Sequence, residues 1–183
     1  GIYLLYLIDL REKYSKYMPV IGIEPALKPA VEFSRKGKIV IMATNMTLAE
    51  EKFNDLMKKY NKNSTIKPLP CPGLVELIEQ GIIRGKKIED YLKVKLIPLK
   101  EQGIAAVVLG CTHYPFIKES ISKIVGDDTP IIDGSKGTVQ QLKRQLVKYD
   151  IVNKNTGRLG SVKIFNSMNS QYIIKLSYKL LKE

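Results

Sequence analysis

The chain has 183 residues, 44% of them hydrophobic and 26% charged, and its 30 basic against 18 acidic side chains leave a formal charge of +12. That apolar content is enough to offset ordering entropy, which excludes wholesale disorder and predicts one to two domains with a real core. Two cysteines, Cys71 and Cys111, exclude a disulfide framework, and with the single His113 they are too few to build a structural zinc site.

From the start of the sequence, an apolar run in Gly1–Leu10 ends at Asp9, Arg11, Glu12 and Lys13, well short of the roughly 20 residues that span a bilayer. No basic stretch precedes it and no small-residue cleavage pattern follows, so neither a membrane segment nor a secretory leader is expected. The expectation is a cytoplasmic chain in a reducing compartment. Leu4, Leu5 and Ile8 have helical spacing without a capping residue ahead of them, as if the start of a larger unit lay outside this sequence.

Beyond this, Pro19–Ile23, Lys38–Met42, Ile104–Leu109 and Pro130–Ile132 are short, nearly continuous apolar stretches bounded by turn residues or charges. They read as buried strands, with Ser64–Leu69 a weaker fifth. Helices are predicted over Ala26–Ser34, Thr47–Lys59, Leu74–Gln80, Lys87–Gln102 with a break at Pro98, Pro115–Ile124 and Thr138–Lys148. The last stretch reads as a strand at Val162–Phe165 and a closing helix carrying Tyr172, Ile173, Leu176, Leu180 and Leu181. Alternation of brief β-branched runs with longer amphipathic ones gives the fold class: α/β, a parallel sheet flanked by helices.

An isoelectric point near 9.6 raises the question of nucleic acid, since clustered Lys and Arg release counterions from phosphates. The arginines stand far apart at Arg11, Arg35, Arg84, Arg144 and Arg158, and the lysines are interleaved with acids. Solvated lysine faces are therefore expected, with no nucleic-acid partner.

In an open parallel sheet, ligands bind beyond the carboxyl ends of the strands. Two segments fit. In Val107–Pro115 an apolar strand runs into Gly110, presents Cys111, Thr112 and His113, and starts a helix near Pro115; in Ile131–Ser135 a strand ends in Asp133, Gly134 and Ser135. A thiol at a helix N-terminus is expected to have its pKa lowered toward neutrality, which makes Cys111 the candidate nucleophile or proton-transfer base. Thr112 and His113 are placed to hold a carboxylate or to tune the thiol. Cys71, between Pro70 and Pro72, has no neighbouring base or cation in sequence and reads as a small packed group, although Glu79 on the following helix can reach a cleft. Thr44 and Thr47 are placed to meet an anionic ligand, with helix capping by Thr47 an equally good account. Phosphate-loop and dinucleotide fingerprints are absent, and no cofactor or metal is expected.

The segment Gly110-Cys111-Thr112-His113-Tyr114-Pro115 resembles the second-cysteine motif of the glutamate racemases, within the aspartate/glutamate racemase superfamily. The likeness extends to Pro19–Pro25, similar to the family's segment between domains, to Ala43–Thr47, similar to its threonine loop, to Cys71-Pro72 through Glu79, similar to its Cys-Pro segment, and to Ile131–Ser135, similar to its return strand.

The resemblance implies cofactor-independent interconversion of L- and D-glutamate for bacterial peptidoglycan, with two cysteines on opposite faces of the substrate's α-carbon and a homodimeric assembly. Cys111 is one of the pair by this likeness, with His113 assisting it; Thr112, His113, Thr44 and Thr47 contact substrate, and Glu79 is an assisting acid. The family's other cysteine, in a Cys-Asn-Thr motif, and its Asp-Ser-Gly loop are not in this sequence. A single thiol cannot serve both faces, so the expectation is a partial chain, inactive alone, with about an amino-terminal third of the family's length outside it. Residues 1–23 are then a remnant of the first domain, 24–133 a complete α/β domain carrying Cys111, and 134–183 a return segment of the first domain. An aspartate racemase and a non-catalytic binding protein for an acidic amino acid are the competing expectations.

Overall fold

The two most apolar runs of the sequence lie side by side in the computed structural model, which describes residues 2–23, 26–32, 36–49, 51–60, 65–154, 157 and 160–182. They are β1 (Lys38–Ala43) and β3 (Ile104–Leu109), the middle of a four-stranded sheet ordered β2-β1-β3-β4. Strand β2 is Thr65–Pro70 and β4 is Ile131–Ile132. All three pairings are parallel, with Val40 opposite Lys67 on one side and Val107 on the other.

Because side chains alternate across a strand, β1 sends Val40 and Met42 into one core and Ile39, Ile41 and Ala43 into another. The first core holds Leu74 and Ile78 of α5 (Leu74–Glu79), the apolar stripe of α6 (Lys86–Lys100) and Ile121 and Ile124 of α7 (Lys118–Val125). The second holds Leu27 and Ala30 of α2 (Leu27–Glu32) and Phe53 of α4 (Glu51–Tyr60). A parallel sheet covered on both faces explains why its central strands are uninterruptedly apolar. Lys58 and Lys59 close α4, complementing the helix dipole.

The remaining helices are α1 (Ile2–Tyr14), α3 (Asn45–Ala49), α8 (Ser135–Lys148) and α9 (Gln171–Leu180). No residue of α8 or α9 is buried.

Several expectations are corrected. Pro19–Ile23 is irregular and not a strand, since the sheet ends at β2 and β4 and offers it no partner. Val162–Phe165 is also irregular, with Val162 58% and Phe165 87% exposed; no strand among the described residues pairs with it. Helix α6 runs through Pro98 without a break. The carbonyl deprived of a donor belongs to Val94, a residue 75% exposed, where solvent is at hand in place of the missing N–H. The helix expected over Thr47–Lys59 begins earlier, as α3 and α4. The weaker strand candidate is a full member of the sheet despite Pro68 and Pro70. The boundary placed at Glu24 and Pro25, and Ser34, Arg35, Ser64 and Arg158, lie outside the described residues.

Candidate active site

The chain leaves β1 for β2 on one side and returns to β3 on the other, so the strand order reverses between β1 and β3. At such a switch point the loops beyond the carboxyl ends part and leave a crevice. The loop after β3 opens with Gly110, whose N–H donates to the Met42 carbonyl at 2.8 Å. A Cβ on Gly110 would sit 3.1 Å from that oxygen and 3.2 Å from the Ala43 Cβ, so a larger residue would push the two strand ends apart by a few tenths of an ångström. Spacing alone gave this glycine no packing role; the structure supplies one.

Cys111 follows, half-buried, and a single 3-10 turn (Tyr114–Ile117) separates it from α7. The expected lowering of its pKa is not found. Burial is the largest influence and pushes the thiol above its ordinary value. The backbone N–H groups of His113 and Tyr114 oppose this without overcoming it, and the Glu79 carboxylate adds to the rise. The thiol is therefore held protonated at neutral pH.

His113 stands between two groups. Its Nδ1 is 3.8 Å from the Cys111 Sγ, and its Nε2 is 3.2 Å from Oε1 of Glu79, the last residue of α5. A carboxylate beside Nε2 places the ring proton there and leaves the Nδ1 lone pair facing the thiol, a tautomer assigned from the hydrogen-bond network. Glu79, expected from the sequence near a cleft and from the resemblance as an assisting acid, is thus joined to Cys111 through one imidazole.

Thr112 is exposed beside Cys111. Gly110, Cys111 and Thr112 face Asp133, Gly134 and Ser135 across a cavity of about 120 Å³, which brings the two segments singled out in the sequence into one wall pair. Asp133 Oδ1 accepts from the Ser135 N–H at 2.8 Å and fixes that turn. Thr44 and Thr47 are half-buried and bound to each other, their hydroxyls 3.0 Å apart. Thr44 Oγ1 accepts from the Thr47 N–H at 3.2 Å, so the cap of α3 is Thr44 and not Thr47. Neither threonine is among the residues that line the cavity. Cys71 is buried, its Sγ donates to the Leu69 carbonyl at 3.3 Å, and burial pushes its pKa up to about 11. Among the described residues no cluster of three or more His, Cys, Asp or Glu is placed to hold a metal ion, and no helix is long and apolar enough to cross a membrane.

Comparison with known proteins gives the family. The family profile of the Asp/Glu/hydantoin racemases matches residues 5–142. The glutamate racemase of Clostridium kluyveri is 72% identical over 177 residues, 97% of this chain and 68% of that protein. That of Clostridium acetobutylicum is 60% identical over 173 residues, 94% of this chain and 66% of its own length. The crystal structure of the Francisella tularensis glutamate racemase in complex with D-glutamate superposes with a TM-score of 0.71 at 25% identity, covering 96% of this chain and 65% of that one. This chain thus spans about two thirds of the length of the relatives it matches. It belongs to the Asp/Glu/hydantoin racemase family, among the glutamate racemases.

Proposed function

We propose that this chain supplies one face of a glutamate racemase active site, with Cys111 as the group that exchanges a proton with the substrate's α-carbon. The observation that carries this reading is the chain of contacts from Glu79 through His113 to Cys111. A protonated thiol is the acid that a carbanion needs: the Sγ–H proton passes to the α-carbon, a C–H bond forms, and the thiolate remains. In the reverse direction Nδ1 of His113 takes the thiol proton, Glu79 stabilises the imidazolium, and the thiolate withdraws the α-proton. Thr112 presents its hydroxyl beside the sulfur for a substrate carboxylate, and Thr44 and Thr47 stand at the neighbouring strand end. Inversion needs a second acid–base group on the opposite face of the α-carbon, outside Cys111 and its partners. With residues 24–133 as the coherent α/β domain, residues 1–23 and 134–183 are a remnant and a return segment of another.

The test is isotope exchange at the α-carbon in D2O, followed by mass spectrometry and chiral separation. Cys111 should wash deuterium into one enantiomer of glutamate without inverting it, and Cys111→Ala should abolish the exchange. Absence of exchange with either enantiomer would overturn proton transfer by Cys111 and favour a binding protein for an acidic amino acid. Faster exchange with aspartate than with glutamate would reassign the substrate.

A further inference from the structure

Helix α5 carries Glu79 as its last residue, and the way this helix ends determines where that carboxylate sits. The final carbonyls of a helix lack intrahelical donors. Here the Ile82 N–H closes on the Leu77 carbonyl at 3.0 Å and the Gly81 N–H on the Ile78 carbonyl at 2.8 Å, with Gly81 at φ 76°. That is the Schellman ending, which needs a residue at ease in the left-handed region. The Glu79 carbonyl lies outside this pair of bonds. It accepts instead from the phenol of Tyr172, 93 residues away on α9, at 3.1 Å.

A second contact accompanies the phenol. A Cβ on Gly81 would lie 3.5 Å from the Leu176 Cδ1, one turn beyond Tyr172 on α9. Leu176 and Ile173 also line, with Glu79 and His113, a cavity of about 450 Å³ between α5 and α9. Helix α9 has no buried residue of its own, yet it rests on the cap of the helix that holds the assisting acid.

We infer that Tyr172 is a positioning residue: its phenol, by capping the Glu79 carbonyl, fixes the end of α5 so that the carboxylate meets the imidazole of His113. The C-terminal helix thereby acts on Cys111 through Glu79 and His113 without touching the sulfur. This inference rests on reading those three residues as a proton-transfer chain.

The experiment measures alkylation of Cys111 by iodoacetamide at pH 8 in the full chain, followed at the peptide level, for wild type, Tyr172→Phe, Glu79→Gln and the double variant. The Glu79 carboxylate adds to the rise in the thiol's pKa, so Glu79→Gln enlarges the reactive thiolate fraction and speeds the reaction. Tyr172→Phe, which frees the carboxylate from its place, should speed it by up to the factor that Glu79→Gln gives, and should add nothing in the Glu79→Gln background. Tyr178→Phe is the control on the same helix; its phenol binds the Val162 carbonyl at 3.2 Å, and the alkylation rate should stay at the wild-type value. A rate for Tyr172→Phe equal to wild type, or a further change in the double variant, would overturn the role of the phenol alone. A rate for Glu79→Gln equal to wild type would instead overturn the proton-transfer chain on which it depends.

Discussion

The two thiols of this chain show how environment divides identical side chains. Both are raised by burial, but Cys111 lies beside an imidazole and a cavity while Cys71 is packed against backbone. Cys71 has a consequence for stability. Its pKa rises from 9.0 to about 11 on folding, so between those values the folded state binds more protons than the unfolded one and stability falls as pH rises. Full contribution is present below pH 9, and about 2 to 3 kcal/mol is lost on passing through the folded value. Urea unfolding from pH 8 to 10 should show the decline setting in near pH 9 for wild type and running less steeply for Cys71→Ala, where Cys111 and, from about pH 10, Tyr91 and Tyr114, all raised by burial, remain. Equal slopes would remove Cys71 as a cause. The residue types of the site were legible in Gly110–Pro115, because a Gly-Cys-Thr-His run after a strand has few other uses. The direction of the thiol's pKa was not, since it depends on how much hydrocarbon surrounds the sulfur, and a local motif is silent on that.

At the scale of the element, α6 separates packing from propensity most cleanly. Ile88, Leu92, Leu96 and Leu99 form its buried stripe, while Val94 on the same helix is 75% exposed. Leu92→Ala should cost about 2 to 5 kcal/mol through the cavity it leaves, and Val94→Ala about 0.5 kcal/mol or less, both read from urea midpoints at constant slope. Equal costs would mean that α6 is not seated as described. Sequence patterning located β1, β3 and most helices because period and burial agree there. It erred at Pro19–Ile23 and Val162–Phe165 for one physical reason: an apolar run becomes a strand only when a neighbour supplies the hydrogen-bond ladder, and pairing partners are not written in the run itself. It erred at Pro98 for a different reason: proline costs a helix least where the carbonyl it orphans belongs to an exposed residue, as at Val94.

Across the whole molecule, burial is uneven. The sheet and its helices hold the two cores, whereas α8 and α9 contribute no buried residue and Val139, Val147, Tyr149, Phe165 and Met168 stand exposed. Native-state hydrogen exchange should therefore find β1 and β3 amides opening only with global unfolding and those of α8 and α9 opening well below it. Equal protection in the two regions would contradict residues 24–133 as the coherent unit. The sheet's margins add one more consequence. One outer strand, β2, carries Pro68 and Pro70, and the other, β4, is two residues long. Proline has no N–H to offer an incoming strand, and two residues make too short a template for one to zip along. A copy that met another through its exposed apolar residues would therefore find little backbone at either rim on which to extend a ladder.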